Sequence, residues 1–330
     1  MALKVLSGDI GGTNTRLATY EIVDRGLQPI GEGNFNSQSY DSFDDIIKEY
    51  IASSTTLPDV ACFGVAGPVA NGIAHTTNLP WIINAQLIGQ QYSLPQVYLL
   101  NDLEANAWGI EALTEKDFLT LQAGVEGAGN AAIISAGTGL GEAGLYHDGE
   151  GWNPFATEGG HTDFSPGNAL EVALLRYLQT IYQHVSWERI LSGHGLVHIH
   201  DFLREYHGKE MPSNVQEAMN QADPAEVISM MATSGEDEIC EKTLKLFSHL
   251  YGVEAGNLAL KMMAKGGVFI GGGIAPRNID WLSDGRFIQA FNDKGRMQPL
   301  LEAMPVQVIL NDKTALYGSA IYAARQCGVW

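Results

Sequence analysis
The chain has 330 residues, of which 45% are hydrophobic and 17% charged, with 19 lysines and arginines against 38 aspartates and glutamates. Such a length exceeds one typical core, and the apolar content suffices for two compact α/β domains. The formal net charge of −19 argues against nucleic acid or an anionic membrane as partner, so a polyanionic substrate has to be held locally, by amides and metal. Cys62, Cys240 and Cys327 lie far apart and form no CxxC pair, which fits a reducing compartment. No run approaches roughly 18 consecutive apolar residues, and Lys4 leads straight into Gly8-Asp9 without a signal-type segment. A cytoplasmic protein without a membrane span is expected.

Taken in chain order, the apolar run 3–6 enters residues 7–17 (SGDIGGTNTRL), which read as strand, glycine turn, strand. Phe43, Ile46, Ile47, Tyr50 and Ile51 recur at the spacing of a helix laid on a sheet. Residues 61–66 have a buried-strand pattern closed by Gly67-Pro68, and 97–100 form another strand, after which Asn101-Asp102 opens a helix through Ala105 and Trp108 towards Leu113. This alternation argues for an α/β sandwich. The apolar run 131–134 enters a second glycine turn, 135–145 (SAGTGLGEAGL). Residues 169–182 and 244–263 read as buried helices, and the polar stretch 211–237, broken by Pro212 and Pro224, as surface helices and loops. A strand at 268–270 enters Gly271-Gly272-Gly273, with Pro276 suited to the first turn of a following helix. A last strand, 306–310, precedes a helix at 314–326 whose Gly318, Ser319, Ala320, Ala323 and Ala324 permit close helix approach.

Glycine turns of this design are phosphate cradles, because glycine lets successive backbone N–H groups point at one anion, and Asp9 is placed to hold the accompanying magnesium. Two such turns in one chain imply a nucleotide gripped from two sides. Asp102 sits where a strand ends and a helix begins, the position at which parallel α/β sheets expose ligand-binding groups. It is the candidate base for an attacking hydroxyl, although an Asn-Asp pair there also reads as a simple helix cap. Gly139, Gly141 and Gly144 fit GxGxxG, but the residues that follow, 145–151, are not helical, so a dinucleotide site is not expected. His194, His198 and His200 are read as ordinary histidines near a surface helix and not as a zinc site.

The blocks GDIGGTNTR (8–16), NLPW (78–81), LND (100–102), SAGTGLG (135–141), EGGHTDF (158–164), ERILSGHGL (188–196) and GGVFIGGGIAPR (266–277) together resemble bacterial-type glucokinase, in the family's order and over nearly the whole chain. The resemblance implies an α/β chain with the actin-like ATPase (ribonuclease H-like) fold, two α/β domains and an interdomain cleft. A small domain at 1–111 plus 312–330 and a large one at 112–311 are expected. It implies phosphorylation of D-glucose at the 6-hydroxyl by ATP with Mg²⁺, with Asp102 as general base. By the same likeness Asn101, Asp102, Glu158, His161 and Glu188 contact the sugar. Asp9 binds Mg²⁺, directly or through water. Gly11, Gly12, Thr13 and Asn14 face the terminal phosphates, Gly137, Thr138 and Gly139 form the opposing wall, and Gly272 and Gly273 lie on the adenosine side. Asn78 falls near the site or serves as a turn asparagine. A homodimer is implied. The alternatives are a kinase for another hexose or phosphoryl donor, and a sugar-sensing regulator on the same core; the latter carries a DNA-binding domain ahead of the core, for which Asp9 leaves no room.

Overall fold
The computed structural model describes residues 2–54, 56–125 and 127–330. The chain divides into two compact units: Met1–Phe118 with Trp152–Ala156 and Asn311–Trp330, and Leu119–Gly151 with Thr157–Leu310.

The first unit contains β1 (Leu3–Ile10), β2 (Asn14–Val23), β3 (Gly26–Asn36), β4 (Val60–Val65), the short strands β5 (Val69–Ala70), β6 (Ile73–His75) and β7 (Ile82–Asn84), and β8 (Val97–Asn101). The main sheet has the order β3-β2-β1-β4-β8, and β5-β6-β7 make a small separate sheet. β1 runs antiparallel to β2 and parallel to β4, which is parallel to β8. Period-two alternation sends Leu6 and Phe63 into one core with Phe43, Ile46 and Ile47 of helix α1 (Phe43–Ser53). Val5 and Cys62 enter the opposite core with Ala105 and Trp108 of α3 (Asp102–Gly109) and with Leu316 and Ala320 of the C-terminal helix Thr314–Gln326. Helices therefore cover both faces, with α2 (Ala85–Tyr92) adding Ile88 to the α1 side. The C-terminal helix and α3 meet backbone to backbone: a Cβ on Gly318 would lie 1.7 Å from Ala105 O, and one on Gly109 1.9 Å from Thr314 O. The small residues at that helix do what their sizes predict.

The second unit is built on β10 (Ala131–Ala136), β11 (Leu140–His147), β13 (Gly267–Gly271) and β14 (Val306–Ile309), with β9 (Phe118–Gln122) at its edge, in the order β11-β10-β13-β14-β9. Strand β12 (Trp152–Ala156) belongs to the first unit. β10 pairs antiparallel with β11 and parallel with β13, which is parallel to β14. The arrangement of the first unit is thus repeated: a hairpin closed by a glycine turn, then two parallel strands. Helices α4 (Ala169–Gln179), α5 (Gly193–His207), α6 (Ser213–Gln221), α7 (Pro224–Ser234) and α8 (Glu238–Met262) are followed by the short α9 (Ile274–Arg277), α10 (Ile279–Ser283), α11 (Arg286–Asn292) and α12 (Gln298–Glu302), and by α13, the C-terminal helix.

Helix α8 begins six residues before its apolar pattern does, because Asp237 caps it by accepting the Cys240 N–H at 2.8 Å. Its core role needs Gly252 and Gly256, where a Cβ would come within 2.1 Å of Phe287 O and 2.6 Å of Phe291 O on α11. Within the polar stretch 211–237 the structure forms α6 and α7, and α7 is not wholly a surface helix: Val227, Ile228, Met231 and Ala232 are buried. Among the described residues, no helix is long and apolar enough to cross a membrane.

Candidate active site
In the first unit, the parallel register sets Asp9 opposite Gly64 and Val65 opposite Asn101. The C-terminal ends of β1, β4 and β8 therefore bring Asp9 and the Asn101-Asp102 pair to one edge of the sheet. Asp9 is half-buried. Burial and the neighbouring Asp102 raise its carboxyl to about 6, with Arg16 opposing and Asp312 adding to the rise. Arg16 in turn pairs with Asp312, Nη1 to Oδ2, at 2.8 Å and donates to its carbonyl at 2.7 Å. Arg16 stood in the first glycine motif without a role, and Asp312 only marked an expected domain boundary; their part in the electrostatics of Asp9 appears once the chain is folded.

The first glycine turn is braced from outside. Gly11 N–H donates to Asn14 O at 3.0 Å, Ser37 N–H to Thr13 O at 2.8 Å, and Ser37 Oγ–H to Gly11 O at 2.8 Å. Thr13 and Asn14 are exposed, and a Cβ on Gly12 would come 2.9 Å from the Cβ of Asn78. Asn78 thus lies against this turn.

Asn101 and Asp102 both cap α3. The Leu103 N–H is shared by Asn101 Oδ1 at 3.0 Å and Asp102 Oδ1 at 2.9 Å, while Asn101 Nδ2 donates to Gly67 O at 3.3 Å. The Leu103 N–H engages Oδ1 of Asp102, and a carboxylate can serve as helix cap and proton acceptor through different oxygens. Burial raises the Asp102 carboxyl above its ordinary value, against hydrogen bonds from Leu103 and its own backbone and from the Asn101 side chain.

In the second unit the other glycine turn is closed by Gly137 N–H donating to Gly139 O at 2.9 Å, and Gly193 N–H ties it to the start of α5 by donating to Gly137 O at 2.9 Å. Thr138 sits at its tip. Glu188, on the 3₁₀ turn Trp187–Arg189, accepts the Leu140 N–H through Oε2 at 3.0 Å, and a Cβ on Gly139 would lie 2.5 Å from that oxygen. Glu188 is therefore a brace for the glycine turn, a contact that its sequence neighbourhood did not signal. Its other oxygen faces His161, with Oε1 3.9 Å from Nδ1, while Nε2 of His161 is 3.8 Å from Glu158 Oε2. The structure brings these three together, with the side chains of Glu158 and His161 88% and 59% exposed and that of Glu188 28% exposed. Two open groups beside one anchored carboxylate suit the recognition of hydroxyls.

Gly272 has φ +82°, and a Cβ there would collide with Ala136 O at 2.2 Å, so the residue after β13 must be glycine. Gly273 follows as the cap of α9, with open space where its Cβ would be. The Tyr251 hydroxyl, fully buried, accepts the Ala136 N–H at 3.1 Å just ahead of the Gly137 turn and approaches Gly271 O at 3.4 Å. One tyrosine of α8 thus supports both glycine turns of this unit.

The histidines of α5 do not converge. His194 is exposed; His198 bonds the Tyr182 hydroxyl at 3.0 Å and Arg189 O at 2.8 Å; His200 is buried against Asp201 at 3.0 Å. Among the described residues the metal-capable trio is His200, Asp237 and Cys240, and the Arg204 guanidinium already fills it, 3.2 Å from His200 Nε2 and 2.7 Å from Asp237 Oδ2. After Gly144 the chain continues as β11 to His147, so no helix N-terminus is available for a dinucleotide there.

The family profile of glucokinase matches residues 6–326. The chain belongs to the glucokinase family. It is 41% identical to the glucokinase of Trichormus variabilis, over 97% of this chain and 99% of that one. With the glucokinase of Synechocystis sp. it shares 38% identity over 98% and 99%. The crystal structure of a glucokinase from an Antarctic psychrotroph superposes with a TM-score of 0.87 at 32% identity, covering 98% of this chain and 99% of that one. A ROK family glucokinase from Streptomyces griseus, solved with glucose and AMPPNP, shares the fold with a TM-score of 0.67 at 21% identity, over 98% and 99%. The fold is the actin-like ATPase fold. As a glucokinase family member the chain is a sugar-phosphorylating enzyme.

Proposed function
We propose that this glucokinase transfers the γ-phosphoryl of ATP to the 6-hydroxyl of D-glucose, with Asp102 as general base. The observation that carries the reading is the placement of Asp102 at the C-terminal end of β8, capping α3 through Oδ1, with its proton affinity raised by burial. A carboxylate whose proton affinity is raised accepts the hydroxyl proton more readily as the new bond to phosphorus forms. Asn101, Glu158, His161 and Glu188 are assigned to the sugar hydroxyls, where each buried polar group left unpaired costs about 1 to 3 kcal/mol and so discriminates among sugars. Gly11, Gly12, Thr13 and Asn14, and Gly137, Thr138 and Gly139, are assigned to the phosphates, and Gly272 and Gly273 to the adenosine side.

The residues present fit Mg²⁺. Asp9 is an oxygen donor whose proton affinity is raised first by burial and then by Asp102 and Asp312, with Arg16 opposing, and a hard cation relieves the part that is carboxylate repulsion as a proton does. Asp9 would hold it, directly or through water, and when bound it neutralises charge on the phosphates. The family resemblance extends the reading to a homodimer, which sedimentation velocity tests. Cys62, Cys240 and Cys327 are all free thiols, which supports a reducing, cytoplasmic setting. A coupled assay of ADP release over a panel of hexoses tests the reading as a whole: turnover is expected with ATP and glucose, and a distinctly higher kcat/KM for another hexose or donor would replace it.

A further inference from the structure
Beneath Gly159 lies the carboxyl of Glu142, one of two buried acids with no place in the phosphoryl transfer. Glu142 of β11 and Glu254 of α8 are 1% and 0% exposed. The Glu142 carboxyl fills the space where Gly159 has no side chain: a Cβ on Gly159 would lie 2.0 Å from Glu142 Oε2. The next residue is seated as closely, since a Cβ on Gly160 would lie 2.1 Å from Leu140 O. A relay fixes the same turn to the same strand, with Gly159 N–H donating to Thr157 Oγ1 at 3.2 Å and Thr157 Oγ1–H to Glu142 O at 2.7 Å. Oε1 of Glu142 is buried and, among the described residues, has no hydrogen-bond donor. Glu254, by contrast, is matched: Oε2 accepts from Asn257 at 2.8 Å and Oε1 pairs with Lys261 at 3.2 Å.

From this geometry we infer that the Glu142 carboxyl, seated where Gly159 has no side chain and carrying a proton on its unpaired Oε1, sets the position of the Gly159–His161 turn and with it the affinity for sugar. Glu142 is thus a positioning residue, acting through the backbone of the turn, and the inference rests on the proposed role of Glu158 and His161 at the sugar.

The charges around the pair support the assignment. From α8, Glu254, Lys261 and the fully buried Tyr251 face it; from the segment after α11, Lys294 approaches Glu254, donates to Val253 O at 2.9 Å and has Asp293 beside it; Glu171 of α4 acts on Lys294. From the turn itself come Glu158 and His161, both exposed. Lys261 pairs directly with Glu254, while Lys294 bonds the Val253 carbonyl and is shared electrostatically among Glu254, Asp293 and Glu171. Burial first, then Glu254, pushes the Glu142 carboxyl up to about 8, with Lys261 opposing. Burial thus favours the protonated form of Glu142, and as pH rises a second buried charge forms under the turn.

The test is the glucose KM and the ATP KM of the full-length enzyme between pH 7 and pH 9.5, for wild type, Glu142→Gln and Glu142→Ala. Wild type is expected to show a glucose KM rising about fivefold or more across this range with the ATP KM changing less than about twofold. Glu142→Gln, which keeps a neutral donor beside Glu254, is expected to hold a glucose KM near the wild-type value at pH 7 and to lose the rise. Glu142→Ala is expected to raise the glucose KM at every pH. A flat glucose KM in wild type, or the same rise in Glu142→Gln, would overturn the role of the pair while leaving the sugar site intact. Absence of glucose-dependent turnover at every pH would overturn the sugar-site reading itself, and the inference with it.

Discussion
Glu188 touches two parts of the proposed chemistry through two oxygens: Oε2 accepts the Leu140 N–H of the second glycine turn, and Oε1 faces His161. Glu158 and His161 have no such tie to a phosphate loop. Glu158→Gln and His161→Ala are accordingly expected to raise the glucose KM about tenfold or more with little change in the ATP KM. Glu188→Ala is expected to raise both, because removing the side chain also frees the turn. Steady-state kinetics with each substrate varied in turn decides this, and an ATP KM hit equally by Glu158→Gln would move that residue to the nucleotide. Much of this site was legible in the sequence, since the glycine turns, Asn101-Asp102 and the 158–161 block are local signatures. The approach of Glu142 to Glu254 was not, because the two acids lie far apart in the chain and no local pattern links β11 to α8. Arg204 was hidden for the same reason, as its partners His200 and Asp237 come from α5 and the cap of α8.

At the scale of elements, local patterning found β1, β4, β8, β10, β13 and β14 and the helices α1, α3, α4, α8 and α13. It missed β3, where exposed and half-buried residues alternate along most of the strand, and the two- and three-residue strands β5 to β7, which are too short to carry a period. Helix α8 shows what the pattern cannot measure. Its Tyr251 is buried beneath β10 and β13, and its hydroxyl takes the Ala136 N–H at 3.1 Å. Tyr251→Phe leaves that buried N–H without this acceptor, a loss of about 1 to 3 kcal/mol. Urea unfolding should show that decrease together with a weaker ATP KM, because Ala136 enters the Gly137 turn. A second test addresses α3 and α13: Gly318→Ala places a methyl group against Ala105 O, and a loss of at least about 2 kcal/mol is expected. Unchanged stability in that variant would mean that the two helices separate freely.

For the whole molecule, the acids divide into two groups with opposite effects on folding. Asp237 beside Arg204 and Glu171 beside His249 are held below their ordinary values by those partners, against burial, so their contribution is present above the unfolded pKa and is lost on acidification. Asp9 and Glu142 are raised, to about 6 and about 8 from ordinary values of 3.8 and 4.5. Their contribution is full below the unfolded pKa and is lost as pH rises through the folded one. The excess of 38 acidic over 19 basic residues adds self-repulsion at high pH. Maximal stability is therefore expected between about pH 5 and pH 6, with the Tm falling by roughly 2 to 6 °C from pH 6 to pH 9. Calorimetry across that range, without nucleotide or sugar, checks the sign, and a Tm that climbs above pH 7 would show that the raised carboxyls do not govern.

The repeated hairpin and parallel strands of the two units, each closing on a glycine turn, give this chain the frame of a phosphoryl-transfer enzyme, and the account turns on which residue takes the proton. The most direct measurement is the rate of glucose-dependent ADP release by wild type and Asp102→Asn in parallel, with glucose binding followed by calorimetry. Asparagine keeps the Oδ1 cap on α3 but removes the base, so glucose binding is expected to stay within a few-fold while kcat falls by roughly 10² to 10⁴. A kcat for Asp102→Asn within threefold of wild type would contradict the account.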